Sequence, residues 1–197
     1  MDSDVSRTDR FLTGPLEDVA DPAPLVSRET VFDGKVWDIV RDTVTFGGRP
    51  MMREYMAHTG AVVIAAIDDE GRLLLINQYR QPIATRSWEL PAGLLDIPGE
   101  DPLTAAQREL AEEADLVAAD WHRLVAYHPS AGGSDETITI FEARGLSAAP
   151  EVHARTDEEA EIVVRWEPLD VVLAAIADGR LRNGPLITAA LMVQARR

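Results

Sequence analysis

Arg108, Glu109, Glu112 and Glu113 are the residues whose types and spacing most directly suggest chemistry. On a helix turning about 100° per residue, the three glutamates fall within roughly 100° of arc. Carboxylates crowded in this way repel one another. A hard divalent cation such as Mg²⁺ or Mn²⁺ would remove that cost, because it takes oxygen ligands in octahedral geometry. The plainer alternative is a solvated acidic face, since charge runs commonly form wet surface.

The element that must position these groups is a helix beginning at Asp101. Asp101 suits the N-cap and Pro102 the first helical position. Leu103, Ala106, Leu110 and Ala114 recur at helical intervals and form one apolar stripe. Asp115 stands where the helix ends, and Asp tolerates positive φ better than most residues other than glycine.

Residues 1–22 read as a flexible tail rich in Asp, Ser, Thr, Arg and Pro. Residues 23–58 read as a small β subdomain. The pattern is strand-like from Leu25 to Met56, with Phe46-Gly47-Gly48-Arg49-Pro50 a turn and Met51 to Ala57 a returning strand. Such a small sheet is marginal alone and needs something to pack on. Either its own main domain or a second copy of the chain would serve.

Residues 59–197 form the main domain. Ala61 to Ile67 is expected as a buried strand, with Arg72 to Tyr79 its hairpin partner. Strands follow at Trp121–Tyr127, Thr137–Ala143 and Ile162–Trp166, with a long loop over residues 144–160. Helices are expected from Pro168 to Ala177 and from Gly184 onward. Strands interleaved with helices argue for α/β layering.

The chain has 197 residues, 46% of them hydrophobic, enough for one good-sized core. Nineteen Lys and Arg against 34 Asp and Glu leave a formal charge of −15. That balance argues against nucleic acid or anionic membrane as partner. An anionic substrate would need local arginines or metal to reverse the field. With no cysteine, disulfides and thiol catalysis are both excluded. No signal-peptide core or long apolar run is present, so a cytoplasmic location is expected. The four histidines show no zinc-like spacing.

The stretch Gly93 to Leu116, GLLDIPGEDPLTAAQRELAEEADL, resembles the Nudix box, GX5EX7REUXEEXGU with U aliphatic. Gly93 matches its first glycine, Glu100 its first glutamate, Arg108-Glu109-Leu110 its REU, Glu112-Glu113 its EE and Leu116 its last U. Two departures stand out: six residues rather than five separate Gly93 from Glu100, and Asp115 replaces the last glycine. Gln78-Tyr79-Arg80-Gln81-Pro82, Trp88-Glu89-Leu90-Pro91-Ala92-Gly93 and Gly132-Gly133-Ser134-Asp135-Glu136 look like the ADP-ribose pyrophosphatase branch. The resemblance covers roughly residues 30–190.

It implies an α/β/α sandwich with an N-terminal antiparallel sheet that helps build a homodimer. It implies a small-molecule nucleoside diphosphate derivative as substrate and Mg²⁺ or Mn²⁺ as cofactor. Metal ligands are then expected at Glu109 and Glu113, with Glu112 close behind and the Ala92 carbonyl as an extra. Arg108 would orient the carboxylates by charge-assisted hydrogen bonds. Arg80 would bind phosphate through its guanidinium fork, with Arg53 a weaker candidate. Glu136 would contact substrate, and Trp37 is a candidate to stack on adenine or, alternatively, a core residue. The general base would be a late-loop glutamate, Glu158 first and Glu159 next. The implied reaction is hydrolysis of ADP-ribose to AMP and ribose 5-phosphate. Another nucleoside diphosphate derivative, such as a nucleotide sugar, NADH or FAD, and a non-catalytic ADP-ribose sensor stand as alternatives.

Overall fold

A computed structural model of the chain describes residues 15–150 and 161–197. Residues 15–24 run as exposed coil into a first antiparallel sheet of three strands: β1 (Leu25–Phe32), β2 (Asp38–Phe46) and β3 (Arg49–Ala57), in the order β1-β2-β3. The β2–β3 hairpin turns on two residues only, Gly47 and Gly48, both at positive φ. A two-residue turn matching the twist of its strands requires that conformation, and glycine adopts it without penalty. The expected five-residue turn is therefore shorter, because Phe46 and Arg49 already pair across the ladder.

Two further sheets build the main domain. β4 (Ala61–Ala66), β7 (Ala92–Leu94), β8 (Leu116–Tyr127) and β9 (Ile138–Ala148) form one, in the order β7-β4-β9-β8. β5 (Arg72–Arg80), β6 (Thr85–Glu89) and β10 (Val163–Pro168) form the other, in the order β10-β5-β6. One short 3-10 turn, Gln81–Ile83, joins β5 to β6. Among the described residues three helices cover the sheets: α1 (Pro102–Ala114), α2 (Leu169–Ala177) and α3 (Gly184–Ala195).

Alternation along the strands sends side chains to opposite layers. Val62, Ile64, Ala66 and Leu74 pack with Ala105, Ala106 and Leu110 of α1. Val63, Ala65, Leu73 and Leu75 pack with Leu169 and Val172 of α2 and with Leu186, Ala190 and Val193 of α3. The result is the expected α/β/α sandwich. All six residues of β4 are buried, so its apolar run reflects burial on both faces.

Four expectations are corrected. β5 is not the ladder partner of β4; they share one bridge, Ile67–Leu73, before diverging into different sheets. The edges of β4 are occupied by β7 and β9 instead. The stretch 144–148 is strand rather than loop, and β8 begins at Leu116 rather than Trp121, because the two strands stay paired out to Leu116–Ala148. Finally, β10 runs through Pro168, which caps α2 instead of opening it.

Candidate functional site

α1 presents the acidic group, and its ends follow from local chemistry. The Asp101 carboxylate accepts from the backbone N–H groups of Leu103 and Thr104, and Pro102 occupies the first turn. At the other end Asp115 adopts the left-handed conformation, φ 55° and ψ 34°, and its N–H returns to the carbonyls of Ala111 and Leu110. The replacement for the box's last glycine thus performs the turn.

Ala105, Ala106 and Leu110 anchor one face of α1 in the core. That seating carries Glu109 and Glu113 to the strand β7, where they are only 9% and 6% exposed. Glu113 accepts a hydrogen bond from the Ala92 N–H at 2.9 Å. Glu109 lies against Gly93 so closely that a β-carbon there would sit 2.0 Å from the Glu109 carboxyl carbon. The box's first glycine is therefore a matter of space: hydrogen at that position leaves room for a carboxylate.

Arg108 binds the acidic groups together. Its guanidinium donates to Glu109 at 2.6 Å, to Glu112 at 3.0 Å and to both oxygens of Glu100 at 3.2 Å. The Glu100 bonds lead in raising its pKa above the ordinary arginine value, reinforced by Glu109 and Glu112 against burial. Gly99 turns the chain at φ 82°, and with one extra residue between Gly93 and Glu100 the Glu100 carboxylate still reaches Arg108.

The donors suit a hard cation in kind: carboxylate oxygens on Glu109, Glu112 and Glu113 and a carbonyl on Ala92. Glu109 and Glu112 are held by Arg108, and Glu113 by the Ala92 N–H. Among the described residues no three carboxylate or imidazole side chains converge as a metal-binding cluster.

Arg80 ends β5 and forks onto Glu89 of β6, with its closest contact at 2.8 Å. Glu89 is 5% exposed and also accepts from Gln78 at 3.3 Å. Buried carboxylates are rare unless paired, and here the pair orients a half-exposed arginine. No role is assigned to Glu89 or Gln78 by spacing alone. Their signal is two polar residues placed where the strand pattern asks for apolar ones.

A second group gathers where β3 meets the loop after β8. Arg53 lies beside a cavity of about 450 Å³ that Tyr55, His128, Ser134 and Asp135 also line. Glu136 stands in that loop, 3.5 Å from His58 Nε2. Trp37 is half-buried and stacks on His58, with ring centroids 4.1 Å apart. One of its faces is thus already occupied by a neighbour in the same chain. Glu158 and Glu159 lie outside the described residues. Glu161, just beyond them, is ion-paired with Arg86 of β6.

A model of the NUDIX domain matches residues 56–189. The chain belongs to the Nudix family. Among Nudix relatives, an ADP-ribose pyrophosphatase of Mycobacterium tuberculosis is 39% identical over 173 residues, covering 86% of this chain and 82% of that protein. An ADP-ribose pyrophosphatase of Bacillus subtilis is 36% identical over 135 residues, covering 68% and 72%. A crystal structure described as an ADP compounds hydrolase superposes with a TM-score of 0.76 at 22% identity, covering 91% of this chain and 96% of that one. At that identity the likeness concerns the Nudix fold. Among the described residues no helix is long and apolar enough to cross a membrane.

Proposed function

We propose that the chain is a Nudix pyrophosphohydrolase that cleaves ADP-ribose with water to AMP and ribose 5-phosphate, using Mg²⁺ or Mn²⁺. The observation that carries this reading is the seating of Glu109 and Glu113 against Gly93 and Ala92, with Arg108 tying Glu109 to Glu100 and Glu112. A binding module would have no need of so many carboxylates held around one arginine.

Glu109 and Glu113 would hold the cation, with Glu112 and the Ala92 carbonyl as further donors. Bound there, it would neutralise diphosphate charge and acidify the attacking water. Arg108 keeps the carboxylates aligned between turnovers. Arg80, oriented by Glu89, offers a fork to a diphosphate oxygen in a protein whose net charge would otherwise repel the substrate. Glu136 and Arg53 are proposed to contact the substrate, and Trp37 to stack on adenine through the face turned away from His58. Glu158, with Glu159 as the next candidate, is proposed to take the proton from water as it adds to phosphorus and the P–O–P bond breaks.

We further propose a cytoplasmic homodimer built through the N-terminal sheet. β1 is exposed along its whole length, and Leu25, Val26, Phe32, Phe46 and Met52 are exposed on this sheet. An apolar surface of that kind is best explained by a second copy.

The test is product analysis with ADP-ribose, a nucleotide sugar, NADH and FAD, each with Mg²⁺ or Mn²⁺ and each with EDTA. ADP-ribose should give AMP with the highest kcat/KM, and EDTA should abolish it. Binding of ADP-ribose without product would make the protein a sensor. A higher kcat/KM on another compound would move the substrate assignment.

A further inference from the structure

His58 sits at the joint between the two parts of the chain, after β3 and two residues before Gly60. Its side chain is only 5% exposed. Both ring nitrogens and one face of its ring have a neighbour. The Gly60 N–H donates to Nδ1 at 2.9 Å. A nitrogen that accepts cannot carry the ring's proton, so in the neutral imidazole the proton is on Nε2. Nε2 stands 3.5 Å from Glu136 Oε1. Trp37 stacks at an interplanar angle of 17° and prevents the ring from tipping away.

The loop that carries Glu136 is moored to the same joint by hydrogen bonds that do not involve the imidazole. Asp135 accepts from the His58 N–H at 2.8 Å, and the Met56 N–H donates to the Gly133 carbonyl at 2.9 Å. Ser134 Oγ donates to the Met56 carbonyl and accepts from the Glu136 N–H, both at 3.1 Å. The backbone is therefore placed without the imidazole. What the imidazole adds is the direction of one carboxylate.

We propose that His58 is a positioning residue: its Nε2–H, fixed by the Gly60 N–H on the far side of the ring and by Trp37 on its face, aims the Glu136 carboxylate for substrate binding. This deepens the proposed function and rests on its assignment of Glu136 to the substrate. It also links the N-terminal sheet to the site, because Trp37 directly precedes β2 and His58 directly follows β3, the two strands of one hairpin of that sheet.

The test compares His58→Phe, His58→Gln, Glu136→Gln and the double variant H58F/E136Q, all as full-length chains. Phe keeps the stack and the volume but removes both ring nitrogens; Gln restores a donor near the Nε2 position. In Mg²⁺-dependent hydrolysis of ADP-ribose, H58F should raise KM about tenfold with kcat within about threefold. H58Q should recover most of that loss, and the double variant should be no worse than E136Q alone. An unchanged KM in H58F, or additive losses in the double variant, would overturn the proposal. If H58F fails to fold, ¹⁵N NMR of the wild-type imidazole decides: an Nε2–H tautomer whose Nε2 shift moves in E136Q supports the proposal, and an Nδ1–H tautomer refutes it. The NMR result does not depend on turnover. A wild type that leaves ADP-ribose intact therefore defeats the substrate assignment alone.

Discussion

Replacing Gly93 with alanine separates the chemistry of the site from the stability of the fold. The added β-carbon would meet Glu109 Cδ and Oε1 at 2.0 Å, where ordinary contact begins near 3.4 Å. The atoms in the way belong to the far end of a flexible side chain, and Gly93 is not among the positive-φ glycines. The backbone therefore accepts the methyl group, and the Glu109 carboxylate retreats by more than an ångström. A misplacement of about 1 Å at a reacting centre can cost about 100-fold, so kcat/KM for ADP-ribose should fall by about two orders of magnitude. Stability should fall by about 1 kcal/mol, some 2–4 °C in Tm for a chain of this length. The control is Gly179→Ala, where φ is 71° and a β-carbon meets nothing within 4 Å. It should cost a similar amount of stability through backbone strain and leave activity intact. Steady-state kinetics and thermal melts on the two variants read both quantities. A G93A protein with wild-type kcat/KM, or one that unfolds while Gly179→Ala does not, would refute the reasoning.

Other outcomes follow from the same geometry. Arg108→Lys keeps the charge but loses the fork that reaches Glu100, Glu109 and Glu112, so kcat/KM should drop about 10- to 100-fold with a higher Mg²⁺ requirement, read from metal titrations of the rate. Glu89→Gln should raise KM for ADP-ribose several-fold with a smaller effect on kcat, because Arg80 loses the anion that orients it. At the left-handed end of α1, Asp115→Ala should be about 1 kcal/mol less stable than Asp115→Gly in urea unfolding. In the N-terminal sheet, hydrogen bonding from Arg28 holds the Asp42 carboxyl below its ordinary value, with Tyr55 adding to it. A folded-state pKa below the unfolded one stabilises the protein above the unfolded pKa, about 4, and that stability is lost as pH falls through the folded value. Urea midpoints should therefore hold from neutral pH to about pH 5 and drop below it, with a shallower drop in Asp42→Asn.

Features coded locally were legible before the fold was known. Asp101, Pro102 and the Leu103-Ala106-Leu110 stripe specify α1 within one short segment, and the positive φ of Asp115 follows from where the stripe stops. The box residues come together for the same reason, since Arg108, Glu109, Glu112 and Glu113 share one helix. What stayed hidden depends on residues far apart in sequence. The Asp68–Gly71 turn suggests a hairpin from β4 to β5, yet the partners of β4 are β7 and β9. Only competition among buried strands for edges decides that. The continuation of β8 and β9 to Leu116–Ala148 is likewise a matter of pairing across the sheet. Glu89 and His58 gain their partners, Arg80 and Glu136, only through strand register and loop docking, 9 and 78 residues along the chain. No local pattern marks such pairs.

The joint role of Glu109 and Glu113 in holding the cation is tested most directly by AMP release from ADP-ribose with saturating Mg²⁺ by the variant E109Q/E113Q. Glutamine preserves shape while removing charge. The expected result is a folded protein whose kcat/KM is at least about 100-fold below wild type. Wild-type turnover by that variant would contradict it.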